Sequence, residues 1–195
     1  MIYTIILAAG AGSRIGNKPK ALLIAPQGRN FVTTIAHTVR EAGGGGVSAV
    51  IGPPHGDAVK KGLPPGVGAM TNPRPDRGML SSVQTGIMAL PSNAVAVLVW
   101  PVDVPTVQVA TVRAILSASP GRIIVPTYNK KGGHPVRIPR ERFGEIMALD
   151  GEATLKDLID SKPELVERLA VDDKGILVDV DTQADFDALA ATAKK

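Results

Sequence analysis

Short apolar runs recur along the first two-thirds of the chain, and segments with the length and pattern of helices separate them. We predict strands at residues 3–7, 47–51, 68–71, 94–100 and 123–125. We predict helices at residues 31–42, 79–90 and 107–117, the last of them capped by Thr106. Because strands that alternate with helices form parallel sheets, this pattern predicts an α/β fold.

The C-terminal part of the chain departs from this alternation. Two hairpin-like pairs of strands are predicted there, at residues 126–138 and 165–180. Thr182 and Asp185 have the spacing of a capping box, which predicts a final helix at residues 183–193. We therefore expect antiparallel strands to be added to a mainly parallel sheet.

Composition and length exclude several classes of protein. The chain has no cysteine, which excludes disulfides, thiolate metal ligands and cysteine nucleophiles. An apolar content of 44% over 195 residues, with no linker, indicates one folded domain spanning residues 1–195. No apolar run is long enough to cross a membrane and no signal peptide is evident, so we expect a cytoplasmic protein without a membrane partner. A net charge of +4 without basic runs interleaved with aromatics argues against nucleic-acid binding and fits a small anionic ligand.

A glycine-rich loop follows the first predicted strand, with the sequence Leu7-Ala8-Ala9-Gly10-Ala11-Gly12-Ser13-Arg14-Ile15-Gly16. Glycines let successive backbone N–H groups point toward one anion, and Arg14, Lys18 and Lys20 add positive charge. We therefore interpret the loop as a polyphosphate-binding site. Without those cations, a tight turn in which the glycines only permit packing would be the simpler interpretation.

Two common phosphate-binding motifs do not fit this loop. The motif Gly-x-Gly-x-x-Gly requires glycine where Ile15 stands, and Gly16 comes one residue late. Gly52, Pro53 and Pro54 follow the second strand, where dinucleotide-binding proteins carry an acidic residue. The Walker motif is absent as well. A dinucleotide-dependent oxidoreductase is therefore the least favoured function of those we consider.

The loop, extended by Lys20-x-Leu22-Leu23, resembles the start of the MobA-like NTP transferase family, and most of all its molybdenum cofactor cytidylyltransferases. Further matching motifs are Gly78-Met79-x-Ser81-Ser82-Val83-x-x-Gly86, Val102-Asp103-Val104-Pro105, Gly133-His134-Pro135-Val136 and Asp179-Val180-Asp181-Thr182. The resemblance runs nearly end to end. It implies a Rossmann-like, three-layer nucleotidyltransferase (GT-A-like) fold, mostly parallel, with antiparallel additions in the C-terminal half.

The resemblance also implies which residues form the site. Arg14, Lys20 and Asp103 would be catalytic, and Asp103 and Asp181 would hold Mg²⁺. Contacts to the nucleotide and acceptor would come from Leu7, Ala8, Ala9, Gly10, Gly12, Ser13, Arg14, Lys20, Gly78, Ser82, Asp103 and His134. The chemistry is consistent, because ligands gather at the carboxyl ends of strands in open α/β sheets and Mg²⁺ joins carboxylates to phosphate oxygens.

Most of these assignments have a purely structural alternative. Asp181 would otherwise be an acid beside a helix N-terminus, and Asp103 a turn residue between two prolines. Ser82 would be an early helix residue and His134 a turn residue, although the motifs suggest base or ribose contact for Ser82 and an acceptor-pocket wall for His134. Trp100 is interpreted as a core residue and not as a base-stacking platform.

Three further residues are weighed by their context. Lys18 competes with Lys20 for the phosphate role, and the spacing to the following leucine pair favours Lys20. His37 and His55 are interpreted as structural or solvated residues.

The expected reaction is cytidylyl transfer from CTP to molybdopterin, with release of pyrophosphate. Ala9 favours CTP, because guanylyltransferases of the family usually carry glycine at that position. An acceptor phosphate with a second pKa of about 6 is already ionised and needs no general base. Alternatives are the same chemistry on a sugar phosphate or another phosphorylated metabolite, and an idle nucleotide-binding or cofactor-chaperone module. A molybdoenzyme is the expected protein partner.

Overall fold

The computed structural model describes residues 1–150 and 153–192, and an eight-stranded sheet forms its centre. The strands are β1 (Ile2–Leu7), β2 (Val47–Ile51), β3 (Val67–Thr71), β4 (Ala96–Pro101), β5 (Ile123–Tyr128), β6 (Lys131–Gly132), β7 (Val136–Pro139) and β8 (Val166–Ala170). The helices are α1 (Phe31–Glu41), α2 (Gly56–Lys61), α3 (Met79–Met88), α4 (Val109–Ser117), α5 (Phe143–Ala148), α6 (Leu155–Ser161) and α7 (Gln183–Thr192).

The sheet has the strand order β3-β2-β1-β4-β7-β5-β6, and β8 pairs with β5. The pairs β1–β2, β2–β3, β1–β4 and β5–β8 are parallel. The pairs β4–β7, β5–β7 and β5–β6 are antiparallel. The predicted α/β class, mainly parallel with antiparallel additions in the C-terminal half, is confirmed.

Both faces of the sheet are covered, which explains why β4 is apolar throughout and β1 nearly so. Successive residues of a strand point to opposite faces. Accordingly Ile6 joins a core with α1, α2, α4 and α7, whereas Ile5 joins a second core with α3, α5 and α6. Trp100 is fully buried in the first core, where its indole N–H donates to the carbonyl of Val104 at 2.8 Å. The predicted core role of Trp100 is confirmed.

The parallel pair β1–β4 determines where a ligand can bind. Leu7 and Pro101 are register partners at the carboxyl ends of these strands, and the N–H of Val102 donates to the carbonyl of Leu7 at 3.1 Å. The glycine-rich loop and the segment that carries Asp103 therefore leave the sheet side by side. No helix in residues 1–150 and 153–192 has both the length and the apolar character that a membrane span requires.

The predicted hairpin at residues 165–180 is wrong. Its first arm is a strand, but β8 pairs in parallel with β5, with Ile123 opposite Val166. The second arm forms no strand, and Lys174–Leu177 is a short 3-10 helix. The hydrogen bond from the N–H of Val171 to the carbonyl of Thr127 extends the pairing with β5. The backbone groups of this segment therefore bond to the sheet and not to a local hairpin partner.

The predicted start of α4 is wrong by two residues, and Thr106 does not cap it. The helix begins at Val109, and the side chain of Gln108, the residue before it, makes no capping hydrogen bond. Asp173, which is distant in sequence and only 2% exposed, accepts hydrogen bonds there from the N–H of Gln108 and the hydroxyl of Thr111. A tertiary contact therefore provides the cap that the local sequence was expected to provide.

Helix α2 was not predicted, because its six residues give too short a pattern. Helix α7 begins at Gln183 as predicted, with the reciprocal Thr182–Asp185 capping contacts in place. The last residue predicted for it, Ala193, lies outside the described residues.

Candidate active site

The glycine-rich loop turns sharply just after β1. Gly12 and Gly16 have φ values of 63° and 73°, in the left-handed region that favours glycine. A Cβ atom at Gly12 would lie 2.0 Å from the carbonyl oxygen of Lys18, so no other residue fits there without a shift of the backbone. At Gly10, by contrast, a Cβ would meet nothing within 4 Å, because this part of the loop borders an open cleft.

That cleft has a volume of about 430 Å³, which is within the usual range for small-molecule sites. All of the residues predicted for the site line it, namely Leu7, Ala8, Ala9, Gly10, Gly12, Ser13, Arg14, Lys20, Gly78, Ser82, Asp103, His134 and Asp181. Lys18 is not among its lining residues, in agreement with the preference for Lys20. The lining residues that we did not predict include Asp179, Pro75 and Met79.

Three carboxylates converge at one end of the cleft. One carboxylate oxygen from each of Asp103, Asp179 and Asp181 lies within 4.8 Å of the other two. Asp103 follows β4, and the N–H of Val180 donates to its carbonyl at 2.9 Å. Because Val180 is fully buried, the residues on either side of it point away from the core and into the cleft.

Two cations are paired with these carboxylates. The Lys20 ammonium lies 2.9 Å from Asp103 Oδ2 and also donates to Asp181 Oδ1. The guanidinium of Arg14 lies 2.8 Å from the other oxygen of Asp181. Burial lowers the pKa of Lys20, but the hydrogen bonds and charges of the two aspartates outweigh burial and keep that pKa above its ordinary value. Lys20 is therefore a charged bridge between two loops that are far apart in sequence.

Asp179 lies in a motif quoted in the sequence analysis but was given no role there. Partial desolvation and the nearby charges of Asp103 and Asp181 raise the pKa of Asp179 to about 6. The available signal was the spacing Asp-x-Asp around a valine, because alternate residues of an extended segment share one side. The strand expected to end at Val180, just before Asp181, is not formed. The Asp185 carboxylate accepts hydrogen bonds from the N–H groups of Asp181 and Thr182.

The start of α3 forms another wall of the cleft. Gly78 has a φ of 84° and precedes the helix, whose N-terminus has no side-chain cap. Asn72, buried and also missed by the sequence analysis, donates its amide to the hydroxyls of Ser81 at 2.8 Å and Ser82 at 3.0 Å. The Ser82 hydroxyl accepts this bond and keeps its own hydrogen for a ligand in the cleft.

His134 also lines the cleft, where the backbone fixes it. Its N–H donates to the carbonyl of Ile176 at 3.0 Å, while its ring Nδ1 is buried without a hydrogen-bond partner in the described part of the chain. Burial lowers the pKa of His134, and the charge of Asp103 opposes that shift only in part. The ring is therefore neutral near pH 7.

His55, which we interpret as a structural or solvated residue, contacts the glycine-rich loop. Its Nε2 lies 3.0 Å from the carbonyl oxygen of Ala11, so the ring donates a hydrogen bond to the middle of the loop. His37, by contrast, pairs with Glu41 on α1 and does not line the cleft.

The fold and the cleft together define a Rossmann-like α/β protein with a glycine-rich anion loop facing clustered carboxylates. The sequence profile of the MobA-like NTP transferase domain matches residues 4–168, and the chain belongs to this family. Its fold is that of the family's nucleotidyltransferases, as the resemblance implied.

Known proteins similar to this chain carry different activities. Nicotine blue oxidoreductase of Paenarthrobacter nicotinovorans is 34% identical in an alignment of 189 residues that covers 91% of each chain. Rv0371c of Mycobacterium tuberculosis H37Rv superimposes with a TM-score of 0.83 at 27% identity, covering 97% of both chains, and its manganese complex gives 0.81. A nucleotidyl transferase from Methanothermobacter thermautotroptrophicus shares the fold, with a TM-score of 0.82 at 20% identity over 100% of this chain and 98% of its own.

Proposed function

We propose that this protein is a divalent-metal-dependent nucleotidyltransferase that transfers a nucleoside monophosphate from an NTP to a phosphorylated acceptor. The observation that carries the proposal is the approach of three carboxylates and two cations to one glycine-rich loop within a single cleft. We infer CTP as the donor and molybdopterin as the acceptor from the residues of the loop and the Gly133–Val136 motif. A molybdoenzyme would receive the product.

The reaction needs positioning and charge neutralisation more than it needs a base. An oxygen of the acceptor phosphate attacks the α-phosphorus, the bond to the α,β-bridging oxygen breaks, and pyrophosphate leaves with that electron pair. The attacking oxygen is already ionised, so no proton has to be removed. Loop N–H groups, Arg14 and Lys20 would neutralise the triphosphate and the departing pyrophosphate.

The carboxylate cluster fits a divalent cation. Mg²⁺ and Mn²⁺ are bound by carboxylate and phosphate oxygens, and Asp103, Asp181 and Asp179 offer three carboxylates within one ligand shell. When bound, the cation would offset the repulsion between the two reacting anions. The manganese complex of the similar Rv0371c supports this proposal.

Recognition of the nucleoside would rest on hydroxyl and backbone groups. The residues described as lining the cleft include no Phe, Tyr or Trp, so base stacking on those side chains is not part of the proposal. The free hydroxyl hydrogen of Ser82 is a suitable donor to a base or ribose oxygen. The neutral ring of His134 would form a wall on the acceptor side.

Pyrophosphate release tests this function. Purified protein is incubated with Mg²⁺ and each NTP in turn, with and without molybdopterin. Release with CTP that requires molybdopterin supports the full proposal, and release with another phosphorylated acceptor keeps the reaction but replaces the acceptor. Saturable nucleotide binding without turnover with any acceptor would refute it in favour of a binding module.

A second candidate function is the oxidation or reduction of a compound related to nicotine blue. It is favoured by the 34% identity to nicotine blue oxidoreductase. A change in the absorbance of nicotine blue in the presence of a soluble electron donor, without pyrophosphate release from any NTP, would favour this function over nucleotidyl transfer.

Metal affinity is expected to depend on pH. Because the pKa of Asp179 is about 6, a metal that binds below that pH must displace a proton from this carboxyl. The affinity for Mn²⁺ should therefore rise between about pH 5 and about pH 7 and level off above, by up to roughly tenfold per unit. Titration calorimetry measures this, and Asp179→Asn should flatten the profile. Equal affinity at both pH values would contradict the prediction.

His55 is expected to affect nucleotide binding more than turnover. His55→Ala removes one hydrogen bond to the loop, worth about 1 kcal/mol, so KM for the NTP should rise about fivefold with kcat nearly unchanged. Steady-state kinetics measure both constants. His37→Ala, which removes a histidine remote from the cleft, is the control, and an equal change in that variant would contradict the prediction.

A further inference from the structure

The ammonium of Lys20 contacts carboxylate oxygens that a metal ion would need as its ligands. It contacts Oδ2 of Asp103 at 2.9 Å and also Oδ1 of Asp181, and these carboxylates belong to the proposed metal site. A divalent ion bound to the same oxygens would lie at about 2.1 Å from them. Both cations cannot bind the same oxygen lone pairs with good geometry, and their like charges repel at such short separation.

Charge accounting leads to the same conclusion. When ionised, the carboxylates of Asp103, Asp179 and Asp181 carry three negative charges. The two cations in this cluster, Lys20 and Arg14, carry two positive charges. Only one negative charge remains to attract a metal ion. Lys20 matters most in this balance, because its side chain is only 16% exposed and bridges two of the carboxylates.

The side chain of Lys20 has an alternative partner within the cleft. It projects from a single 3-10 turn, Lys20–Leu22, that follows the glycine-rich loop. Its long flexible stem allows the ammonium to move without a change in the backbone. Once a metal ion has bound the carboxylates, these groups attract the ammonium less. Triphosphate oxygens held by the loop would then offer it more negative charge.

We propose that Lys20 makes metal binding depend on the nucleotide, by occupying the carboxylates in the free protein and moving to the triphosphate when the NTP binds. This inference rests on the proposed function, which places an NTP in the cleft. By thermodynamic linkage the dependence is reciprocal, so the metal also strengthens nucleotide binding. The free protein therefore binds the metal ion weakly, and the two ligands enter cooperatively.

The test measures Mn²⁺ binding by electron paramagnetic resonance of the free ion, with and without nucleotide. The nucleotide is CTP in which a methylene group replaces the α,β-bridging oxygen. Without nucleotide, Lys20→Met should bind Mn²⁺ roughly tenfold more tightly than the unaltered protein. Lys18→Met removes the same charge from the same loop outside the cleft, and its affinity should stay within about twofold, because exposed charges are screened.

Addition of the nucleotide analogue supplies the second measurement. It should increase Mn²⁺ affinity by a larger factor in the unaltered protein than in Lys20→Met. Lys20→Arg keeps a cation at the carboxylates and should remain a weak Mn²⁺ binder, which separates the charge effect from damage to the fold. Circular dichroism melts identify any variant that is unfolded. If Lys20→Met is unfolded, the Mn²⁺ affinities of Lys20→Arg and Lys18→Met are compared in its place.

Several results would overturn the inference. These are equal Mn²⁺ affinity in Lys20→Met and the unaltered protein, tighter binding in Lys20→Arg, or no Mn²⁺ binding by any of them. The proposed function fails separately, because pyrophosphate release is its readout. Tighter Mn²⁺ binding by Lys20→Met without pyrophosphate release from any NTP would keep the role of Lys20 and refute the transferase.

Discussion

Asp103→Asn is expected to slow pyrophosphate release by about 100- to 1,000-fold. The amide keeps the shape of the side chain but loses the charge, so the proposed metal site loses one of its carboxylates and Lys20 loses one of its two partners. The rate is measured at saturating NTP and Mg²⁺, so that weakened binding alone does not account for the loss.

Asp172→Asn is the matched control for this experiment. It makes the same chemical change at an exposed residue that does not line the cleft, and its rate should equal that of the unaltered protein. Asp181→Asn should follow Asp103→Asn. A normal rate for both of these variants at saturating Mg²⁺ would refute the metal role of the two carboxylates.

Asp173→Ala is expected to lower the free energy of unfolding by about 3 to 5 kcal/mol. The Asp173 carboxylate is buried and accepts three hydrogen bonds, from the N–H of Gln108 at 2.8 Å, the hydroxyl of Thr111 at 2.7 Å and the N–H of Gly175 at 2.8 Å. Truncation leaves all three donors without this acceptor, the Thr111 hydroxyl in a buried position, and it also removes the cap of α4.

Urea unfolding followed by circular dichroism measures this loss. Asp172→Ala truncates the adjacent but exposed aspartate, and its effect should stay within about 0.5 kcal/mol. Asp173→Asn keeps one acceptor oxygen and should fall between the two. A loss below about 1 kcal/mol for Asp173→Ala would show that water replaces the carboxylate.

The features that could be predicted from sequence are those fixed by local chemistry. The strand β1 is apolar because both of its faces are buried, and the turn at Gly12 requires glycine, so both leave a direct signal. Asp103 was predicted from the family resemblance and from its position after the most apolar strand of the sheet. The roles of these residues can be predicted from their neighbours along the chain alone.

The features that were missed depend on contacts between distant segments. Asn72 reaches Ser82 across ten residues, and Asp173 caps a helix that begins more than sixty residues earlier. The backbone of β8 forms its hydrogen bonds with the distant strand β5, although the local sequence has the pattern of a hairpin. The ion pairs of the cleft also depend on distant contacts, because Lys20 lies between two aspartates only when the loops are packed together.

The hydrogen bond from Val180 to Asp103 joins the acidic segment, residues 179–181, to the loop that follows β4. The part of the chain that matches the family profile ends at residue 168, whereas two of the three clustered carboxylates lie at Asp179 and Asp181. The ion pairs of Lys20 and Arg14 with Asp181 also tie this segment to the glycine-rich loop. A substitution at Asp181 therefore changes both the charge of the cleft and the contact between these two parts of the chain.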